Sequence, residues 1–315
     1  MLRKKEKQIV SDFEHRKADP AGPSEISEAY DLGEAETFGK LMLRMFRENK
    51  LSAVSLLVIL LMILCTILAP VLTPYGETDM DLLNRLQPPS GDHWLGTDEG
   101  GRDVLTRLLY GSRVSLMVGI VPTLLSMVLG ALLGVMAGYF GQWTDTVIMR
   151  LADIVLAFPS MLLAMVIMYT LGGGLFNVFL TLTLMNWGSV ARIARSETLR
   201  LKKSEFVEAA RSIGVSKWKI IFRHILPNCL PTLIVLFTLN VPAAILTESS
   251  LSFLGLGIQP PGASWGLMVN TGRQFLYNAP WLSFVPSAAI MVAVLSFNFL
   301  GDGLRDVLDP RLRKQ

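Results

Sequence analysis

The side chains able to do bond-making chemistry are few and scattered. The three histidines, His15, His93 and His224, stand in separate segments, and none has a nucleophile beside it in a catalytic pattern. Cys65 and Cys229 lie in two different apolar runs, with no second metal-ligating residue at zinc spacing, and read as small apolar residues. One acidic group invites a metal: Asp98, Glu99 and Asp103 in HWLGTDEGGRDVLTRLLYGSR. Their spacing lacks the alternating oxygen ligands of a calcium loop. The better reading is a Gly100–Gly101 turn with Asp103 capping a short helix that puts Leu105, Leu108 and Leu109 on one face. No G-x-x-x-x-G-K-[ST] phosphate loop occurs, so ATP hydrolysis by this chain is not expected. Catalysis gives way to another class of work.

The stretch with most to say is Glu208–Pro227, EAARSIGVSKWKIIFRHILP, polar and basic between apolar runs. Ser204 is placed to cap a helix carrying Glu208, Ala209 and Ala210. Gly214 sits where a helix ends on a left-handed residue, which only glycine adopts without cost. Ser216 can cap a second helix running toward Leu226, and Pro227 is expected to stop it. Small alanines leave one face open to another protein. Shape alone leaves an ordinary basic loop equally open.

The elements that must position this loop are apolar. Of 315 residues, 51% are hydrophobic and 17% charged, and mean hydropathy is +0.45. A helical span needs about 20 apolar residues. Six runs are expected to be spans: roughly Leu51–Leu72, Val114–Phe140, Ile154–Leu171, Leu175–Ala191, Cys229–Thr247 and Trp281–Leu300. The fourth is interrupted or bounded by Asn177, Asn186 and Trp187. The first begins too late, and runs too long, for a cleaved signal peptide. The fold class is therefore an all-α polytopic membrane protein with six transmembrane helices. With the N-terminus inside, 24 of the 29 Lys and Arg residues fall on the inner side and five on the outer. That bias sets both termini, and the Glu208 loop, in the cytoplasm. The net charge of +3 follows from this bias and gives no argument for nucleic acid.

Residues 1–37 form a polar tail ending in an acidic run, expected to be disordered. Residues 38–88 hold an amphipathic stretch (38–50), which can lie on the inner surface, and the first span. Residues 89–113 make the outer loop with its short helix, and 114–315 the core, with the cytoplasmic loop at 192–228. Gly130, Gly134 and Gly138, four apart, form a smooth ridge for close helix packing within the core or against a partner. Arg150 and Asp153, three apart at the inner start of the third span, are expected to pair, and Pro159 to bend that helix. TESSLSFLGLGIQPPGASWG is rich in Gly and Pro and apolar for an outer loop. A re-entrant segment buried in protein is the fitting expectation.

Several of these strings share one resemblance. E-A-A, then G four residues on, then an apolar cluster closing in L-P resembles the EAA loop of ABC-importer permeases. Glu208, Ala209, Ala210, Gly214, Leu226 and Pro227 carry the match, and His224 departs from it, standing where that pattern has an apolar residue. Gly96-Thr97-Asp98 with Gly101-Arg102-Asp103, Arg150/Asp153/Phe158/Pro159, SFLGLG from Ser252 to Gly257, Pro261 with Ser264-Trp265-Gly266, and the C-terminal GDGLRDVLDPRLR resemble the C-type subunits of the dipeptide/oligopeptide/nickel branch. The resemblance implies a type I ABC-importer permease core of five helices plus an N-terminal anchor helix, in a bacterial cytoplasmic membrane. It implies a B-type second permease, two ATP-binding subunits that hold ATP and Mg, and an extracytoplasmic solute-binding protein. It also implies that Glu208, Ala209, Ala210 and Gly214, with Ser216, Lys217, Lys219 and Arg223, receive the ATPase. The cargo it implies is a di- or oligopeptide, with nickel or another small solute as the alternative. Two other classes stay open: an ion-driven secondary transporter, for which Glu248 at the outer end of the fifth span is the nearest candidate group, and a membrane scaffold.

Overall fold

The computed structural model describes residues 49–308, and these are helical with no strand; an isolated antiparallel bridge joins Thr97 to Asp103. The expectations for the tail, for most of the amphipathic stretch and for the last residues lie outside this range.

The elements are α1 (Lys50–Ile67), α2 (Ala69–Leu72), α3 (Val104–Phe140), α4 (Gln142–Ala157), α5 (Ser160–Leu171), α6 (Leu175–Leu201), α7 (Glu205–Ser212), α8 (Lys217–Ile220), a π turn (Ile221–Ile225), α9 (Leu226–Phe253), α10 (Trp265–Gly272) and α11 (Trp281–Leu308). Four helical stretches are long and apolar enough to cross a membrane: Lys50–Ile67, Val104–Phe140, Lys217–Phe253 and Trp281–Val307. The pair α4 and α5, bent by 91°, makes a fifth if counted as one span. The remaining expected span, α6, runs beside α3 but carries Asn177, Asn186, Arg192 and Arg195, which lower its apolarity.

Contacts set the directions. Gly130, Gly134 and Gly138 of α3 meet Trp187–Val190, Ala191–Ala194 and Arg195–Thr198 of α6 in the same order, so these two helices run parallel. Gly119 of α3 meets Val241 and Ile245 of α9, whose C-terminal end reaches α10 near the start of α3, so α9 runs the other way. The ridge reads directly as close approach. A Cβ on Gly130 would lie 2.6 Å from the Trp187 carbonyl oxygen, and one on Gly138 would lie 2.8 Å from Thr198 Cβ.

Three apolar clusters follow. Val118, Met168, Leu182 and Leu251 join α3, α5, α6 and α9. Ile148, Ala152, Trp187 and Ala191 seat α4 on α3 and α6. Val135, Val190, Val207, Ile221 and Ile225 tie α3 and α6 to the loop that follows α6. Outward faces stay apolar: Leu57, Leu61 and Leu64 of α1, and Leu162, Val166 and Tyr169 of α5, are exposed.

One expectation is corrected and another is extended. Asp103 does cap a helix, its Oδ2 accepting from Thr106 N at 2.7 Å, but that helix is not short. It continues unbroken to Phe140, about 55 Å at 1.5 Å per residue, well beyond a hydrocarbon core of about 30 Å. Arg150 does pair with Asp153, at 4.0 Å, and Arg192 of α6 reaches the same carboxylate more closely, at 2.6 Å. The chain bends by 91° between α4 and α5, where Pro159 stands.

Candidate functional site

The Glu208 loop is built as two short helices on a glycine joint. α7 ends in a paired C-cap: Gly214 N donates to Arg211 O (3.1 Å) and Val215 N to Ala210 O (3.0 Å), with Gly214 at φ +80°. An L side chain at Gly214 would meet open space but carry the strain of that φ. Ser204 and Ser216 occupy the N-cap positions in extended conformation, without side-chain capping bonds; Ser204 Oγ donates back to Leu201 O at 2.6 Å.

The loop is seated firmly. Val207, Ala210, Ile220, Ile221 and Ile225 are buried against α3, α6 and α9. Lys202 Nζ donates to Tyr139 O at 2.7 Å and stands 5.5 Å over the Tyr139 ring, holding the C-terminal end of α3, where a cation is favoured. Phe140 meets Trp218 edge to face at 5.5 Å, and Trp218 stacks with Phe222 at 6.1 Å. His224, which departs from the EAA pattern, is half-buried with its ring 6.5 Å from Phe206.

Of the residues expected to meet a partner, Glu208, Ala209, Gly214, Ser216, Lys217, Lys219 and Arg223 are exposed. Ala210 is not: it is 7% exposed and faces the core, because α7 turns positions 207 and 210 inward together. The same surface has apolar members: Trp218 and Phe222 lie within the stretch Ser216–Arg223 expected to complete it, whereas Phe206 and Ile213 were missed. Phe206, Ile213, Trp218 and Phe222 are 43%, 81%, 53% and 52% exposed. The signal was available: large apolar residues in a charged loop, off the buried face, mark a contact surface.

The outer loop forms a charged knot at the start of α3. Asp98 Oδ1 accepts from Gly100 N (2.7 Å) and Arg102 N (3.0 Å), Oδ2 accepts from Arg102 Nε (2.8 Å), and Arg107 lies 3.2 Å away. Glu99 pairs with Arg102, and Asp103 with His93 at 3.0 Å. Each acidic group is thus already answered by a donor, which makes the cluster structural. The Asn84 amide and the Leu83 N–H hold the exposed Asp81 carboxyl below its usual value. Away from this knot, α4 and α6 enclose a polar cleft of about 540 Å³, where Asp145 accepts from both Nε and Nη2 of Arg195 at 2.5 Å.

The chain is thus a helical membrane core with a seated, exposed loop between two of its long helices. The family described as binding-protein-dependent transport system inner membrane component matches residues 130–314, and the chain belongs to it. The N-terminal TM domain of oligopeptide transport permease C matches residues 37–89. The chain is 42% identical to the oligopeptide transport system permease protein OppC of Bacillus subtilis over 293 residues, 91% of this chain and 96% of that protein. It is 45% identical to the dipeptide transport system permease protein DppC of Alkalihalophilus pseudofirmus over 86% of this chain and 89% of that one. To the glutathione transport system permease protein GsiD of Pectobacterium atrosepticum it is 43% identical, over 86% and 90%. Among solved structures, the inward-facing MetNI methionine ABC transporter aligns with TM-score 0.50 and 19% identity, covering 64% of this chain and 96% of that one, which shows the shared fold. The type I importer core expected from the EAA pattern is thus the fold of this chain.

Proposed function

We propose that this chain is one half of a heterodimeric pathway that imports di- or oligopeptides, driven by ATP hydrolysed on other subunits. The names borne by its OppC and DppC relatives support the peptide cargo. A second, B-type permease completes the pathway. An extracytoplasmic binding protein delivers the peptide. Two ATPases, holding ATP and Mg, dock on the cytoplasmic loops. Both termini are cytoplasmic, as the distribution of basic residues requires. The anchor region 38–88 and the core 114–315 divide the labour, the first holding the flank and the second carrying the path.

One observation carries the reading: the loop 205–225 presents Glu208 and the apolar set Phe206, Ile213, Trp218 and Phe222 outward while its other face is buried in the core. Apolar anchors surrounded by charge are what a protein partner desolvates. Rigid seating lets a push on the loop reach α3, α6 and α9 without being absorbed. The experiment is Glu208→Lys. The subunit is expected to remain in the membrane with its partner permease while ATP-dependent uptake is lost; normal uptake overturns the docking assignment.

A further inference from the structure

Glu248, near the outer end of α9, is fully buried and has no part in the docking loop. Its Oε1 accepts from Ser252 Oγ at 2.6 Å and from Ser264 Oγ at 3.0 Å. Its Oε2 is buried without a partner, as is the hydroxyl of adjacent Ser249. Ser264 also caps α10, accepting from Leu267 N at 3.2 Å. The next residue ties α10 to α3: Trp265 N donates to Ser115 Oγ (3.0 Å) and Trp265 Nε1 to Leu108 O (3.2 Å). Asn270 Nδ2 adds a bond to Ser252 O at 3.2 Å, and a Cβ on Gly266 would come within 2.6 Å of Ser249 Cα. The carboxyl group therefore joins α9 to the start of α10, and the residue after that joint is held by α3.

A buried carboxyl with an unanswered oxygen is costly, and an apolar side chain of that size would fill the space without the cost. What an apolar side chain cannot do is hold hydroxyls of two different segments at once. We infer that Glu248 is a positioning residue for transport: it makes the outer segment 255–264 and α10 follow the outer end of α9, whose inner end continues into the docking loop. The inference rests on the docking reading above. Motion received at Lys217–Ile225 travels along α9 and reaches the outer face through the Glu248–Ser264 joint.

The test uses the whole importer, with both permeases, the ATPases and the binding protein, in proteoliposomes. Peptide uptake and ATP hydrolysis are measured for Glu248→Ala, Ser264→Ala and Glu248→Gln. Hydrolysis is expected to stay within about twofold in all three. Uptake per ATP is expected to fall about tenfold or more in Glu248→Ala, and by a smaller but clear factor in Ser264→Ala, which loses one bond to the carboxyl group. Glu248→Gln keeps the accepting oxygen and places a donor amide at the unanswered position beside Ser249, so it should couple normally. Normal coupling in Glu248→Ala overturns the inference. So does a parallel fall of uptake and hydrolysis in Ser264→Ala, which marks a general folding role, or a Glu248→Gln as defective as the alanine variant. If Glu248→Ala fails to assemble, Ser264→Ala decides. If the wild-type permease carries no ATPase through purification, the docking reading falls and this inference with it. An ATPase that is present and fully coupled in Glu248→Ala sinks this inference alone.

Discussion

Replacing Gly134 by Val tests whether the α3–α6 contact is as close as the glycine ridge requires. A Cβ at Gly134 would stand 2.8 Å from Ala194 Cβ and 2.9 Å from Ala191 Cα, and closer still to the Ala191 carbonyl oxygen. Ordinary contact begins at 3.4 Å, so α3 and α6 must part by at least about 0.6 Å. The obstructing atoms are backbone and a Cβ, which cannot rotate aside. Overpacking of this kind costs about 1–3 kcal/mol, and valine's two methyl groups favour the upper end. The helix-propensity gain on losing glycine returns only a few tenths of a kcal/mol. A net loss of about 2 kcal/mol corresponds to a fall in unfolding midpoint of about 3 °C for a chain of 315 residues. Thermal unfolding of the detergent-purified subunit, followed by tryptophan fluorescence, reads it; Trp187 lies at the contact itself. Gly91→Ala is the control, since a Cβ there meets nothing within 4 Å. An unchanged midpoint for Gly134→Val beside an unchanged control would refute the close packing.

Arg107→Met should destabilise the outer knot by about 1–3 kcal/mol, because it strips one of the two guanidinium groups facing buried Asp98 while Arg102 stays in place; faster proteolytic cleavage between residues 76 and 103 is the measurement, and unchanged resistance contradicts it. Trp218→Ala should weaken ATPase association by about 2 kcal/mol, roughly thirtyfold, by removing an exposed apolar anchor together with its contacts to Phe140 and Phe222. Titration of the purified ATPase onto the permease reads this, and unchanged affinity removes Trp218 from the contact.

How much of this was legible depended on whether a local signal had one meaning. The apolar runs had one: five of the six expected spans are long and apolar enough to cross, counting α4 and α5 as one, and the sixth is the helix α6. Gly214 had one, and it is the left-handed C-cap of α7. The ridge of three glycines announced close packing but not its partner, because the choice between α6 and another subunit is made by tertiary topology. The spacing of Arg150 and Asp153 announced their pair but not Arg192, whose approach to Asp153 is set by the packing of α4 on α6. The docking surface was half legible. The stretch from Ser216 to Arg223 was expected to face a partner, but which of its side chains do so was not, since burial of Ile221 but not Phe222 depends on which way α8 is turned.

Pro227 shows why such a turn was out of reach. A proline lacks the N–H that would bond back to residue 223, and its ring collides with that carbonyl, so a stop was the natural expectation. The chain instead widens one turn before it: Ile221–Ile225 forms a π turn, and the helix continues from Lys217 to Phe253. A wide turn leaves one residue without its usual partner, and the residue best able to accept that is one with no N–H to satisfy. The extra residue also rotates α8 by about 100° against α9, the angle between successive residues of an α-helix. That rotation puts Ile220, Ile221 and Ile225 inward and Trp218, Phe222 and Arg223 outward. The proline therefore does not close the loop off from the span. It lets a surface shaped for a partner and a helix shaped for the core belong to one continuous rod.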